Sequence, residues 1–482
     1  MDTQHLTHLA MNPRTLEPSD PRREIMDLKG KTVLVVGLAR TGVAAVRFLR
    51  GRGAKVKVSE AKPAEELEGS LKILRDLPVR WELGGHTLPF FLEADLIVVS
   101  PGVPMDLKPL AKARSKGIPV ISEVELAFRF LRRPMIAVTG TNGKTTTTTL
   151  IGEMLRASGK RAFVGGNIGT PLIEYVETEQ KDEWVVAEIS SFQLEGIEKF
   201  QPTIGILLNI TEDHLDRYPN FLEYIRAKGR IFANQGKEDY ALLNADDPIT
   251  FQFAHQVKSQ VILFSAQRPV PVGGFLEKGA ILFQGTDGKR ERFGLDRLKI
   301  KGAHNLENLM AAIIACRICG CPREAVQKVI DEFQGIEHRL EWVRDIDGVS
   351  FFNDSKGTNV GSVVKSIMSF QKPILLIAGG RDKGGDYSPL KKLIAEHVKG
   401  MALIGEAKER MWAALGGLTE TVKVGTLEEA VHWAFSKAAP GEVVLLSPAC
   451  SSFDMFENFQ ERGKRFKSIV EGLRRNPLRE QG

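Results

Sequence analysis

Lys144, Thr145 and the glycines before them carry the clearest chemistry in this chain. They lie in MIAVTGTNGKTTTTTL, residues 135–150: a short apolar run, a Gly-rich turn ending Gly143-Lys144-Thr145, then a run able to open a helix. That order suits a phosphate-binding loop, in which backbone N–H groups and a helix N-terminus face the phosphates. Lys144 adds a cation, and the Thr145 hydroxyl can reach Mg²⁺. Gly140 and Gly143 enclose only Thr141 and Asn142, whereas the usual loop has about four residues between its glycines. The expected ligand is ATP or a related triphosphate.

Further polar groups follow apolar runs. Glu188 ends EWVVAEIS, where a carboxylate beside the phosphate loop is placed to hold Mg²⁺. Glu212, Asp213, His214 and Asp216 cluster after TIGILLNI. In FLEYIRAKGRIF, the residues Phe221, Ile225, Lys228 and Phe232 share one helical face, so Lys228 points inward. Such a lysine either snorkels to water or is neutral and available for chemical modification. Three more polar loops, beginning at Asn353, Gly379 and Ser447, each follow a strand-like run, and strand ends of this kind line ligand crevices.

A second glycine turn, Gly37-Leu38-Ala39-Arg40-Thr41-Gly42, follows the run KTVLVVG, and Glu60 ends the next strand. This spacing fits a dinucleotide, with the acid on a ribose hydroxyl. The diphosphate of a UDP-sugar fits the same helix N-terminus. The residues leave both open.

The elements that must position these groups alternate strand and helix along the chain, which predicts parallel sheets. We expect an α/β protein with three domains in series: a Rossmann-like domain over 28–131, a P-loop ATPase-type domain over 132–334 and a Rossmann-like domain over 335–482. Residues 1–27, rich in Pro and charge, read as a disordered extension. The chain has 482 residues, 43% hydrophobic and 26% charged, with a net charge of +6, all ordinary for a globular protein. No dense basic tract argues for nucleic acid, and no apolar run approaches a membrane span. With four cysteines and no signal core, a cytoplasmic location is expected, and Cys316, Cys319 and Cys321 read as buried thiols.

In combination, the motifs TGTNGKTT, GGNIGTP (165–171), NITEDHLDRYP (209–219), KGAHNLENLMAA (301–312), GIEHRLE (335–341), NDSKGTN (353–359) and LLSPACSSFDMFENFQERG (445–463) resemble the Mur ligases, ATP-dependent amide-forming enzymes of peptidoglycan synthesis. NDSKGTN and SPACSSFD favour the branch that adds D-glutamate to UDP-N-acetylmuramoyl-L-alanine. The resemblance implies that Gly37, Arg40, Thr41, Gly42, Glu60, Ser100, Pro101, Gly102 and Asn167 bind the UDP-linked substrate. It implies that Gly140, Thr141, Asn142, Gly143, Lys144, Thr145 and Thr146 bind the ATP phosphates, while Asn305, Asn308, His338, Arg339 and Asp354 meet the nucleoside. It assigns Thr358, Lys383, Ser452 and Phe459 to D-glutamate and puts Lys356 near the phosphate. It also implies two Mg²⁺ ions, on Thr145, Glu188, His214 and a carbamylated Lys228. Lys144, Glu188, His214, Lys228 and Lys356 are then the catalytic group, in a monomer.

Overall fold

The computed structural model describes residues 26–474 apart from 215, 216, 287, 301, 383 and 385. Two compact units form. The first contains the described residues up to Ile210, Arg217–Leu295 and Glu307–Ile330; the second contains the described part of 211–216, Asp296–Leu306 and the chain from Asp331.

The first unit holds two sheets. In one, β1 (Thr32–Val36), β2 (Lys55–Glu60), β3 (Val79–Leu83), β4 (Leu96–Val99) and β5 (Val120–Ser122) are all parallel, in the order β3-β2-β1-β4-β5. Val33 to Val36 and Leu96 to Val99 are buried, as continuous apolar strands covered on both faces must be. The chain reverses its direction of travel between β1 and β4, and a crevice opens at such a point. Gly37 and Ser100 stand there.

The other sheet contains β6 (Met135–Thr139), β7 (Ala162–Gly166), β8 (Trp184–Glu188), β9 (Ile204–Leu207), β10 (Tyr240–Asn244), β11 (Gln260–Ser265), β12 (Gly273–Glu277), β13 (Ala280–Gln284) and β14 (Arg290–Gly294). Its order is β14-β13-β12-β11-β10-β9-β6-β8-β7, with β6 between β9 and β8. The ends of β6, β8 and β9 therefore deliver Gly140, Glu188 and Asn209 to one edge. Pairing is parallel from β7 to β12 and antiparallel from β12 to β14. The β12–β13 hairpin turns through Lys278 and Gly279, both with positive φ (48° and 70°), which matches the twist of a tight hairpin.

The second unit is built on β15 (Glu341–Ile346), β16 (Val349–Asn353), β17 (Ile374–Gly379), β18 (Val398–Ile404), β19 (Glu420–Lys423) and β20 (Val443–Leu446), ordered β15-β16-β20-β17-β18-β19. Only β15 is antiparallel to its neighbour. Because β20 inserts between β16 and β17, the loops after these three strands gather at one edge. Among the described residues no helix is long and apolar enough to cross a membrane.

Candidate active site

The phosphate loop follows the fully buried β6 and leads into helix Lys144–Ala157. Gly143 has φ +88°, and a Cβ there would run into the Asn308 side chain, so only glycine serves at this position. Asn209 braces the loop from the end of β9. Its carbonyl accepts Thr141 N–H at 2.8 Å, its Oδ1 accepts Asn142 N–H at 2.9 Å, and its Nδ2 donates to the Asn142 carbonyl at 3.1 Å. Lys144 Nζ turns back over the loop and donates to the carbonyls of Gly140 and Thr141, each at 2.8 Å.

Glu188 has both oxygens engaged. Thr145 Oγ1 donates to Oε2 at 2.7 Å and Asn167 Nδ2 to Oε1 at 2.9 Å. The carboxylate is buried, and it joins the phosphate loop to the 165–171 loop. A hydroxyl and a carboxylate are hard oxygen donors, the set that Mg²⁺ prefers, so these residues fit the ion.

Lys228 lies 2% exposed in helix Phe221–Gly229. Its Nζ does not snorkel: it donates to the Gly140 carbonyl at 2.8 Å and stands 4.7 Å from the Tyr224 ring centre. The buried face is shifted from the one expected, with Tyr224, Ala227 and Lys228 inward and Phe221 and Ile225 only half-buried. After Gly229 the chain tightens into a 3₁₀ turn, Arg230–Phe232, which brings Phe232 back to the core. Tyr224 also meets Thr141 Oγ1, 3.2 Å from its hydroxyl.

At the β1–β4 crevice, Ser100 Oγ donates to the Gly37 carbonyl at 2.9 Å. A Cβ on Gly42 would strike that same carbonyl. Glu60 accepts Leu38 N–H at 2.6 Å and Lys62 N–H at 3.1 Å, so its carboxylate shapes the loop. Arg40 is exposed, 3.8 Å from Glu174. The carbonyls of Pro101, Gly102 and Val103 all accept from the Arg217 guanidinium, which also pairs with Glu195 at 2.9 Å.

In the second unit, Asp354 is buried and accepts from Ser366 and Ser447, each at 2.7 Å. Burial pushes its carboxyl up to about 6. His338 has φ +67°; Asn353 Nδ2 donates to its Nδ1 at 2.9 Å, and burial lowers its pKa. Lys356 Nζ lies 4.0 Å from the Phe459 ring centre, and Thr358 N–H bonds the Lys356 carbonyl at 2.8 Å. Ser452 is buried. Asn305 and Arg339 line a cavity of about 520 Å³ with Trp342, Phe352 and Phe370. His214 sits with this unit; its backbone N–H bonds Asp213, which also accepts Asn359 Nδ2 at 2.9 Å. Lys383 and Asp216 lie outside the described residues.

Three family models match the chain. They are Mur ligase MurD-like, N-terminal domain (31–122); Mur ligase middle domain (138–316); and Mur ligase, glutamate ligase domain (338–450). The chain belongs to the Mur ligase family. It is 54% identical to the UDP-N-acetylmuramoylalanine–D-glutamate ligase of Geotalea daltonii, over 93% of this chain and 99% of that one. The enzyme of the same name from Geotalea uraniireducens is 53% identical over the same shares. Among solved structures, the pseudomurein peptide ligase type C of Methanothermus fervidus is 19% identical, with a TM-score of 0.60 over 92% of this chain and 100% of that one. MurF from Acinetobacter baumannii is 16% identical, with a TM-score of 0.57 over 92% of each. Both solved structures share the Mur ligase fold.

Several residues that shape the Mur ligase site were not singled out in the sequence. Asn209, Arg217 and Tyr224 lay inside quoted stretches, but each acts on a loop distant in sequence. Arg462, 1% exposed, donates to the Ser355 carbonyl at 2.8 Å and the Cys450 carbonyl at 3.2 Å, joining the 353–359 and 447–453 loops. Its only advance signal was an arginine in the first turns of a helix after an Asn cap. The four cysteines are buried, and among the described residues no group of three or more His, Cys, Asp or Glu could hold a metal.

Proposed function

We propose that the chain uses ATP to join D-glutamate to UDP-N-acetylmuramoyl-L-alanine, forming an amide bond and releasing ADP and phosphate. The observation that carries this reading is the Glu188 carboxylate, held by Thr145 of the phosphate loop on one side and by Asn167 on the other. A carboxylate is a poor acyl donor because its leaving group would be oxide. Transfer of the γ-phosphoryl group from ATP to the alanyl carboxylate of the UDP-linked substrate gives an acyl phosphate, with ADP as the leaving group. The amine of D-glutamate then attacks the acyl carbon, a tetrahedral intermediate forms, and phosphate leaves. The protein's share is positioning and charge stabilisation.

In the first unit, the Gly37–Gly42 turn with Ser100 takes the diphosphate of the UDP-linked substrate, and Asn167 takes its muramoyl part. Lys144 and the amides of the phosphate loop hold the β- and γ-phosphates. Thr145 and Glu188 would hold one Mg²⁺ and a carbamylated Lys228 a second, and bound ions would supply positive charge against the repulsion between the two reacting anions. Carbamylation joins the neutral Nζ of Lys228 to the carbon of CO₂ with loss of a proton, turning a buried cation into an oxygen ligand. In the second unit, Asn305, His338, Arg339 and Asp354 take the nucleoside, and the flat walls of Trp342, Phe352 and Phe370 suit a purine. Asn308 supports the same nucleotide from beside Gly143. Lys356 lies near the phosphate; Thr358, Lys383, Ser452 and Phe459 recognise D-glutamate; His214 orients the incoming amine. The protein acts as a cytoplasmic monomer on small molecules, through domains at 28–131, 132–334 and 335–482.

The test is phosphate release from Mg·ATP with UDP-N-acetylmuramoyl-L-alanine and, in turn, D-glutamate, L-glutamate, L-alanine and L-lysine. Release with D-glutamate alone, and a product heavier by one glutamyl unit, is expected. Release with another acceptor, or with none, overturns the assignment.

A further inference from the structure

Glu123 is a buried acid with no part in the chemistry above. It is 1% exposed and opens helix Glu123–Phe130 directly after β5. Its neighbour Glu125 is equally buried but well satisfied, taking the backbone N–H groups of Glu198, Lys199 and Phe200 and the Arg129 guanidinium. Glu123 is not. Its Oε1 accepts Ile173 N–H at 3.0 Å, and its Oε2 has no hydrogen-bond partner among the described residues. A carboxyl buried on a single bond costs folding free energy, so an anchor alone does not explain it.

What it grips is the far end of the 165–171 loop, which runs into helix Leu172–Tyr175. The loop closes on itself through Gly166 N–H to the Thr170 carbonyl at 2.9 Å. Its near end is tied to Glu188 twice, by Asn167 N–H to the backbone carbonyl and by Asn167 Nδ2 to the carboxylate, both at 2.9 Å. The loop is thus slung between two acids: Glu188 from β8, and Glu123 from the end of the other sheet.

The geometry points to Glu123 as a positioning residue that sets the 165–171 loop, and through it Asn167, for the UDP-linked substrate. This rests on the reading that Asn167 meets that substrate. Burial, with a smaller contribution from Glu174, pushes the Glu123 carboxyl up to about 7. Glu174 is itself paired with Arg40, from the helix after β1, at 3.8 Å. Because burial outweighs the Ile173 hydrogen bond in setting that value, ionising the carboxyl favours openings that hydrate it, so the loop is held less firmly as pH rises through about 7.

Two readouts on wild type, Glu123→Gln and Glu123→Ala test this. The first is amide exchange at Ile173 and across the loop, which needs no substrate. Glu123→Ala should exchange about tenfold faster, and Glu123→Gln, which keeps an acceptor, within about threefold of wild type. The second is binding of UDP-N-acetylmuramoyl-L-alanine without ATP, from about pH 6 to about pH 8. Wild-type affinity should fall a few-fold as pH rises through about 7, the Gln variant should lose that inflection, and the Ala variant should bind about tenfold more weakly. Unchanged exchange in Glu123→Ala, or the same inflection in Glu123→Gln, overturns the proposal. If Glu123→Ala does not fold, the Gln comparison decides alone. Wild type that binds ATP but not the UDP-linked substrate contradicts the ligase reading, while the exchange result still decides the role of Glu123.

Discussion

The two glycine turns of the first unit share one backbone plan and differ in charge. Each follows a buried parallel strand at a point where its sheet changes direction, and each opens a helix. In each, the carbonyl of the first glycine is capped by side chains. On Gly37 the cap is the neutral Ser100 hydroxyl; on Gly140 it is two lysine amines, Lys144 and Lys228. The Gly37 turn has Glu60 beneath it, whereas the Gly140 loop has Asn209 and Asn308. Identical backbone amides suit any phosphate. On the proposed reading the side chains then divide the work: a neutral cap for a diphosphate that is only held, and the Lys144 cation for phosphates whose charge moves during reaction.

Removing the cationic cap should have the largest effect. Lys144→Ala is expected to lower kcat by about a thousandfold, the scale of losing a group that stabilises developing charge. Steady-state phosphate release measures it, and near-normal turnover would break the contrast. Lys228→Ala should follow, with turnover down about a hundredfold and partly restored by small carboxylates that stand in for the carbamate. Full unassisted activity would remove that role. Ser100→Ala tests the neutral cap. It should raise KM for the UDP-linked substrate roughly fivefold, about 1 kcal/mol for one hydrogen bond, and leave kcat unchanged. A fall in kcat instead would mean that the first turn also senses the transition state.

The smallest effect concerns stability. Asp354 and Glu123 have folded-state carboxyl pKa values raised to about 6 and about 7 by burial. A raised pKa means that the contribution to stability is full below the unfolded value near 4 and is lost as pH rises through the folded one. Thermal unfolding of wild type should therefore shift down by a few degrees, ~2–4 °C, across that window, and the double variant Glu123→Gln, Asp354→Asn should flatten the slope. Equal slopes would mean that other groups set the dependence.

What was legible in the sequence was local. The strand, turn and helix around Lys144 are contiguous, so their order could be read directly, and the inward position of Lys228 followed from helical spacing. The parallel strands announced themselves as apolar runs. The β12–β14 extension did not, because its strands are short, half-polar and joined by a Lys-Gly turn that resembles an ordinary loop. The supports of the site were hidden for another reason. Asn308 against Gly143, Arg217 on 101–103 and Glu123 under Ile173 are contacts between distant segments, and no spacing rule along one element reports them.

The most direct test of the account is to label the substrate carboxylate. UDP-N-acetylmuramoyl-L-alanine carrying ¹⁸O in the alanyl carboxyl group, turned over with ATP and D-glutamate, should transfer one carboxyl oxygen to each phosphate released. That result means that ATP activates the substrate through the substrate's own carboxylate, as the proposed reading of the two loops requires. Phosphate free of label, alongside normal amide product, would contradict the acyl-phosphate route and with it the division of labour between the two loops.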